Sequence, residues 1–152
     1  MVSGTSIAIE RRPVLLLDTH AWIWIVEGDT RRVGPRSRRL LARGEARDAL
    51  RLSVVSLLEI VALHSSGRLR LAHAPEQWID ASMEHSGIRV ADVTRSVAVD
   101  AGFIARVALA DPIDRLLVAT ARRLDATLLT ADSAILAYAT RTKHARVQEL
   151  GR

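Results

Sequence analysis

The chain has 152 residues, which is the length of one domain. It is 49% hydrophobic and 26% charged, which excludes a disordered chain and a membrane-embedded one and predicts a domain with its own apolar core. The sequence contains no cysteine, which excludes disulfide bonds, cysteine-ligated zinc and thiol catalysis.

The positive charge is unevenly distributed along the chain. The net charge is +5, and 21 of the 22 basic residues are arginines, since Lys143 is the sole lysine. Residues 11–51 hold ten arginines against five acids, whereas residues 52–152 hold twelve basic and eleven acidic residues. Because a guanidinium group suits phosphate, the basic segment indicates an anionic partner. A codon bias toward arginine is the alternative explanation.

The sequence predicts neither membrane insertion nor export. No apolar run approaches the roughly 18 residues of a membrane span. The first thirteen residues lack the basic start, long apolar middle and small-residue cleavage site of a secretion signal. We therefore expect a cytoplasmic protein that does not contact a membrane.

Strands and helices alternate along the chain. We predict a loose extension over 1–12. The predicted strands are 14–17, which is buried, 50–55, 88–90, 127–130 and 145–148, the last at an edge of the sheet. The predicted helices are 20–27, a basic helix over 36–43 ended by Gly44, 56–66, Pro75 to near Gly87, Thr94 to about Val107, one opened by Asp111-Pro112, and 133–139. This alternation is typical of a parallel α/β sheet with helices on both faces. We expect residues 13–152 to form a single domain.

Acidic residues recur at one topological position. Asp18 ends the first strand, Glu59 is predicted in the first turn of the helix after the second strand, and Asp132 follows the strand over 127–130. Asp111 and Asp114 open a further helix. Because the carboxyl ends of parallel strands line one crevice, we expect these acids to converge.

Most of these acids also have a structural interpretation. Ser56 and Glu59 fit a capping box, in which the glutamate bonds back to the serine amide. Asp111 and Asp132 fit helix N-caps, and Asp114 would lie at the third helical position, where the helix dipole favours an acid. Asp18 is harder to explain structurally, because a lone carboxylate after four apolar residues is costly to bury.

Carboxylates gathered in one cleft predict a metal site. They raise one another's pKa unless a cation lies among them, and Mg²⁺ and Mn²⁺ prefer oxygen ligands. One or two such ions can activate a water and stabilise an in-line displacement at phosphorus. An acidic metal cleft in an arginine-rich chain is typical of an enzyme that cuts phosphodiester bonds.

Four sequence blocks carry a family resemblance. They are LLDTHAW at 16–22, VSLLEI at 55–60, DPIDRLLVATA at 111–121 and LTAD at 129–132. In this order they resemble the PIN-domain family, and in particular the VapC-type toxins of bacterial toxin–antitoxin pairs. The likeness runs from Val14 to about Val147. One departure is Leu109-Ala110, where many relatives carry a His-Arg pair, and this weakens any role of that loop in substrate contact.

The resemblance implies a fold, an activity and a set of site residues. The fold is a three-layer α/β/α sandwich around a short parallel sheet. The activity is that of an Mg²⁺- or Mn²⁺-dependent endoribonuclease that restrains translation, forms a homodimer and is held inactive by a small cognate antitoxin. The implied catalytic and metal-binding residues are Asp18, Glu59, Asp114 and Asp132, with Asp111 as an accessory and with Thr19 and Thr130 orienting ligands or waters.

Several further residues have two interpretations each. His20 either contacts substrate or carries a proton, or it makes a structural hydrogen bond at the helix start. Arg115 either steers RNA phosphate or holds an acidic neighbour in an ion pair. The helix containing Trp22 and Trp24 is apolar all round, so we expect one tryptophan to contact a partner chain, the alternative being a helix deep in the core.

The arginines of the basic helix are predicted to bind RNA. Arg36, Arg39 and Arg43 recur at helical spacing, and Arg47 would continue their row if the helix passed Gly44. An acidic antitoxin segment and a simple solvated surface are the alternatives. For the whole chain the alternative to a nuclease is a PIN-like module that binds RNA or protein without cutting.

Overall fold

The computed structural model describes residues 13–152, so the extension predicted over 1–12 lies outside the described residues. In the described part, five strands form one parallel sheet in the order β3-β2-β1-β4-β5. The strands are β1 (Leu15–Leu17), β2 (Leu50–Ser53), β3 (Arg89–Ala91), β4 (Thr127–Thr130) and β5 (Arg146–Glu149). β1 is central, with Leu16 opposite Arg51 of β2 and Leu128 of β4. The predicted parallel sheet is therefore confirmed.

Seven helices connect and cover the strands of this described part. They are α1 (Thr19–Val26), α2 (Pro35–Ala46), α3 (Val54–Ser65), α4 (Pro75–Ser86), α5 (Arg95–Phe103), α6 (Pro112–Arg123) and α7 (Ser133–Thr142). Between residues 13 and 152, no helix is both long and apolar enough to cross a bilayer.

The central strand supplies both layers of the core, because its side chains alternate between the two faces. Leu15 and Leu17 pack in one cluster with α1, α3 and α4, through Trp22, Ile60 and Trp78. Leu16 packs in the opposite cluster, which contains side chains of α6 and α7. α5 lies against α6. This is the expected three-layer α/β/α sandwich.

Gly44 does not end α2, and the prediction that it would is wrong. The helix continues to Ala46, and Gly44 is buried where α2 packs against the amino ends of β1 and β2. A Cβ at this position would lie 2.5 Å from Cδ2 of Leu50. The glycine therefore serves close packing rather than helix termination.

The other end of α2 is tied to the C-terminal residues. Gly34, the N-cap of α2, donates its amide to the carbonyl of Leu150 at 2.9 Å, and Ser37 donates its amide to the carbonyl of Arg152 at 2.9 Å. A Cβ on Gly34 would lie 2.4 Å from the carbonyl oxygen of Gly151, so only glycine fits. Since these residues follow β5, α2 begins at the carboxyl end of the sheet.

Two further boundaries differ from prediction. The second strand ends at Ser53 rather than Val55, because Ser53 caps α3 by accepting a hydrogen bond from the amide of Val55. α5 ends at Phe103 rather than near Val107, because Ile104 is buried with an extended backbone.

Trp22 is completely buried, so the structure contradicts the prediction that it contacts a partner chain. Its indole nitrogen donates to the Ser82 hydroxyl at 2.7 Å, and its ring meets Trp78 edge-on at 4.9 Å. The core interpretation is correct for this residue. Trp24, two positions on, is only partly buried.

Candidate metal centre

A cavity of about 510 Å³ opens at the carboxyl end of the sheet. The structure brings all five predicted carboxylates into its lining: Asp18, Glu59, Asp111, Asp114 and Asp132. They come from four separate segments of the chain, and each segment is positioned by the sheet or by a helix that starts at this edge.

Asp18 is fixed where β1 passes into α1. One carboxylate oxygen caps α1 by accepting the amide hydrogen of Ala21 at 2.8 Å, and the other accepts a hydrogen bond from the hydroxyl of Thr130. The side chain is 5% exposed. Burial raises the pKa of Asp18, and the hydrogen bonds from Thr130 and Ala21 offset this only in part.

Thr130 connects two of the carboxylates. Its oxygen donates to Asp18 and also accepts the backbone amide hydrogen of Asp132 at 3.0 Å. Asp132 in turn caps α7, since its Oδ1 accepts the amide hydrogen of Ile135 at 2.9 Å. The predicted N-cap at Asp132 is therefore present, and Thr130 sets the spacing of both acids.

Asp111 and Asp114 enter the cavity from the start of α6. Asp111 caps the helix by accepting the amide hydrogen of Ile113 at 2.8 Å, as its position before Pro112 predicts. The pKa of Asp114 is raised to about 7, chiefly by burial and in addition by the charges of the other four carboxylates, that of Asp132 foremost. The negative charges in the cavity are therefore close enough to one another to raise the pKa of Asp114.

Glu59 is not part of a capping box, and that prediction is wrong. Ser53 caps α3, so Glu59 lies in the second turn of the helix. Ser56 is buried inside α3, where its oxygen accepts a hydrogen bond from the Thr19 hydroxyl at 2.9 Å. Thr19 therefore ties α1 to the turn of α3 that precedes Glu59, and Glu59 faces the cavity without a capping role.

The donor set fits a hard divalent cation in its chemistry. All five side chains offer carboxylate oxygens, and the charges of the other four contribute, after burial, to the raised pKa of Asp114. Among residues 13–152, however, no three histidine, aspartate or glutamate side chains form a ready-made metal-binding group. A cation would therefore have to draw the carboxylates closer together.

Two basic side chains, His20 and Arg68, also line the cavity, and both are exposed. Sequence reasoning missed Arg68. The available signal was Gly67, which has a positive φ of 75° just after the end of α3 and turns the chain back toward the acids. Within the described residues Arg115 forms no ion pair, and its buried Nε has no hydrogen-bond partner. The ion-pair interpretation of Arg115 is therefore wrong.

Arg36, Arg39 and Arg43 of α2, with Arg47 as its C-cap, spread between opposite edges of the sheet. Arg36 follows Gly34 at the carboxyl edge, which is the edge of the carboxylates. Arg43 and Arg47 line a small groove with Val14 and Thr127, at the amino ends of β1 and β4. Arg39 lies between, and all four side chains are exposed. None of these four arginines lines the cavity, and only Arg36 lies at the same edge of the sheet as the carboxylates.

The sequence model of the PIN domain matches residues 15–140. The chain belongs to the PIN domain family. The matched segment contains all five carboxylates of the cavity, and PIN domains are generally nucleases that use a divalent metal. The resemblance seen in the four sequence blocks is thus confirmed at the level of the family.

The fold of this PIN domain is also found in a solved structure. The chain is similar to one in the crystal structure of DNA-bound VapBC from Salmonella typhimurium, with a TM-score of 0.61 and 19% sequence identity. The similarity covers 90% of this chain and 97% of that chain, and at this identity it shows the fold. No curated protein matches the sequence.

Proposed function

We propose that this PIN domain is a metal-dependent endoribonuclease and the toxin of a toxin–antitoxin pair. The observation that carries the proposal is the convergence of five carboxylates on one cavity at the carboxyl end of the sheet. Helix caps alone account for Asp18, Asp111 and Asp132, because helices start at this end of the sheet. Glu59 and Asp114 cap no helix and still line the cavity, and a cation shared by all five carboxylates accounts for them.

The proposed ligands of Mg²⁺ or Mn²⁺ are Asp18, Glu59, Asp114 and Asp132, with Asp111 as an accessory. A bound ion would supply a Lewis acid and an activated water at the phosphodiester. Thr130 holds the carboxylate of Asp18 in place, and Thr19 holds α1 against α3. Asp114 carries a proton in part of the molecules near pH 7, and it must release that proton to act as a ligand.

The proposed substrate is RNA. Arg68 lines the cavity and Arg36 lies at the same edge of the sheet, so positive charge flanks the acids where a polyanion would approach. Similarity to a chain of VapBC supports a protein antitoxin as partner, and we extend this proposal to a homodimer.

Hydrolysis of a single-stranded RNA oligomer in Mg²⁺ or Mn²⁺ tests the activity. We expect cleavage that a chelator stops, and a loss of about 10²–10³-fold in rate for Asp18→Asn, because this change removes charge and little volume. Asp80→Asn is the control, since Asp80 is exposed on α4, outside the cavity. Wild-type cleavage by purified Asp18→Asn contradicts the assignment of the site.

The alternative function is a PIN-like module that binds RNA or a protein without cutting. The capping hydrogen bonds of Asp18, Asp111 and Asp132 favour it, because each of these acids also has a structural role. Such a module would bind the oligomer and leave it intact in either metal, with the same result for Asp18→Asn.

A further inference from the structure

Three side chains form a row that leads outward from the cavity. His20 lines the cavity, and Trp24 lies one helical turn further along α1, with the two ring centroids 5.8 Å apart. Beyond it, the guanidinium carbon of Arg32 lies 4.5 Å from the centroid of the Trp24 ring. We call His20, Trp24 and Arg32 the stacked row.

The stacked row is held in position by the turn that follows α1. The Nε of Arg32 forms an ion pair with Asp29 at 3.0 Å, and the amide of Asp29 donates to the carbonyl of Trp24 at 2.9 Å. Trp24 also packs against the apolar cluster that contains Trp22. The side chain of Arg32 nevertheless remains 57% exposed. The row is therefore ordered before any ligand binds, and its outer member is open to solvent.

Trp24 differs from the other two tryptophans of the chain. Trp22 and Trp78 are buried, and they contact each other in the core. Trp24 is partly buried and has a histidine at one side and an arginine over its face. The ring of Trp24 therefore lies between a residue that lines the acidic cavity and an arginine that is open to solvent.

Positive charge continues past the stacked row at the same edge of the sheet. Gly34 fixes the start of α2 two residues after Arg32, and Arg36 follows in its first turn. Both arginines are exposed. A polynucleotide strand that leaves the cavity over His20, whose ring is tilted by 56° against that of Trp24, would meet Trp24 and Arg32 first and Arg36 next.

We propose that the stacked row binds unpaired nucleotides of single-stranded RNA beside the bond that is cut. Bases stack on guanidinium planes and on aromatic rings whatever their sequence, and phosphates pair with arginine. Duplex RNA offers no free base faces for this purpose. The assignment rests on the proposed function, because it takes the cavity as the cleavage site.

RNA binding measured without metal tests this inference separately from cleavage. The full chain is titrated in a chelator with a short single-stranded RNA oligomer, and affinity is read from the anisotropy of the labelled oligomer. Arg32→Ala should weaken binding about five- to a hundredfold, the effect of about one stacked base. The matched control is Arg43→Ala, which removes the same charge from the opposite edge of the sheet and should change affinity less than twofold. The duplex of the same sequence should bind more weakly and should be insensitive to Arg32→Ala.

Tryptophan emission supplies a second measurement. The oligomer should quench the emission of Trp24, and Trp24→Phe should abolish the quenching while the emission of Trp22 and Trp78 remains. Because Trp24 also packs on the core, Arg32→Ala serves as the variant that leaves the apolar contacts intact.

Equal weakening by Arg32→Ala and Arg43→Ala overturns the inference, because it shows general charge attraction alone. Unquenched Trp24 at saturating RNA also overturns it, as does quenching by an acidic peptide but not by RNA, which would assign the row to a protein partner. An active Asp18→Asn variant contradicts the proposed function and leaves these binding results standing. An inactive Asp18→Asn variant with unquenched Trp24 contradicts only the stacked row.

Discussion

The hydroxyl of Thr130 donates a hydrogen bond to the carboxylate of Asp18, across the two neighbouring strand ends of β4 and β1. The same oxygen accepts the amide hydrogen of Asp132. One side chain therefore sets the position of two proposed ligands and lowers the pKa of Asp18 against the effect of burial.

Thr130→Val tests this relationship. The isosteric change leaves the buried Asp18 oxygen without its donor, so we expect a loss of about 1–3 kcal/mol in the free energy of unfolding and weaker metal binding. Thr130→Ser keeps the hydroxyl and should restore most of the metal affinity. Calorimetric titration with Mn²⁺ and denaturant unfolding measure the two effects, and unchanged Mn²⁺ affinity in Thr130→Val would show that the hydroxyl does not position the site.

Asp114 predicts how the stability of the metal-free protein depends on pH. Its pKa is about 7 in the folded chain against an ordinary aspartate value of 3.8, so between these values the folded state holds a proton that the unfolded state has released. Stability should therefore fall as pH rises from about 4 to about 7. Burial of Asp18 acts in the same direction.

Thermal unfolding across this pH range, in a chelator, measures the effect. Asp114→Asn should flatten the decline, whereas Asp80→Asn should leave it unchanged. Added Mg²⁺ should stabilise the wild-type protein more at pH 8 than at pH 6, because protons compete with the cation for the same carboxylates. A steeper decline in Asp114→Asn would contradict the assigned pKa.

Glu59 and Ser53 separate activity from helix capping. Glu59→Gln should lower the cleavage rate about 10²–10³-fold and change stability by less than about 0.5 kcal/mol, because Glu59 does not cap α3. Ser53→Ala should lower stability by about 1 kcal/mol, because it removes the cap. Paired measurements of cleavage rate and urea unfolding decide between these roles, and a large loss of stability in Glu59→Gln would restore a structural one.

Arg68 and Arg70 form a matched pair on one loop. Both are exposed, and of the two Arg68 lines the cavity whereas Arg70 does not. We expect Arg68→Ala to raise KM for RNA and to leave Mn²⁺ affinity unchanged, because Arg68 meets phosphate rather than the cation. Arg70→Ala should have the smaller effect on KM. If the order is reversed, Arg68 does not contact the substrate.

Local patterns in the sequence are enough to predict the parallel sheet and most of the helix starts. Four apolar residues before Asp18 predict a buried strand, and Asp111 before Pro112 predicts a helix start, because both signals are contained in a few adjacent residues. The cap of α3 was misassigned since Ser53 and Ser56 both precede apolar residues. The strand end at Ser53 is set by a long-range contact, the pairing of Ser53 with Ala91 of β3, which a local pattern does not contain.

The sequence predicts the residues around the carboxylates less completely, because their positions depend on contacts between residues far apart in the chain. Trp22 and Trp24 stand in equivalent apolar surroundings in the sequence, and only Trp78 and Ser82 of α4 determine which one is buried. Arg68 reaches the cavity through the path of a loop rather than through a sequence motif. The placement of Arg43 away from the acids likewise follows from the direction of α2.

The attachment of α2 to the last residues of the chain has a practical consequence for handling the protein. Leu150, Gly151 and Arg152 touch the start of the helix that presents Arg36. A deletion that removes only Gly151 and Arg152 would therefore loosen the start of this helix, because the carbonyl of Arg152 accepts the amide hydrogen of Ser37. Leu150 has to be kept for the carboxylates to stay in place, because it is fully buried and its amide donates to the carbonyl of Thr130. A protein altered in this way would keep its affinity for metal but would bind nucleic acid more weakly than the intact chain does.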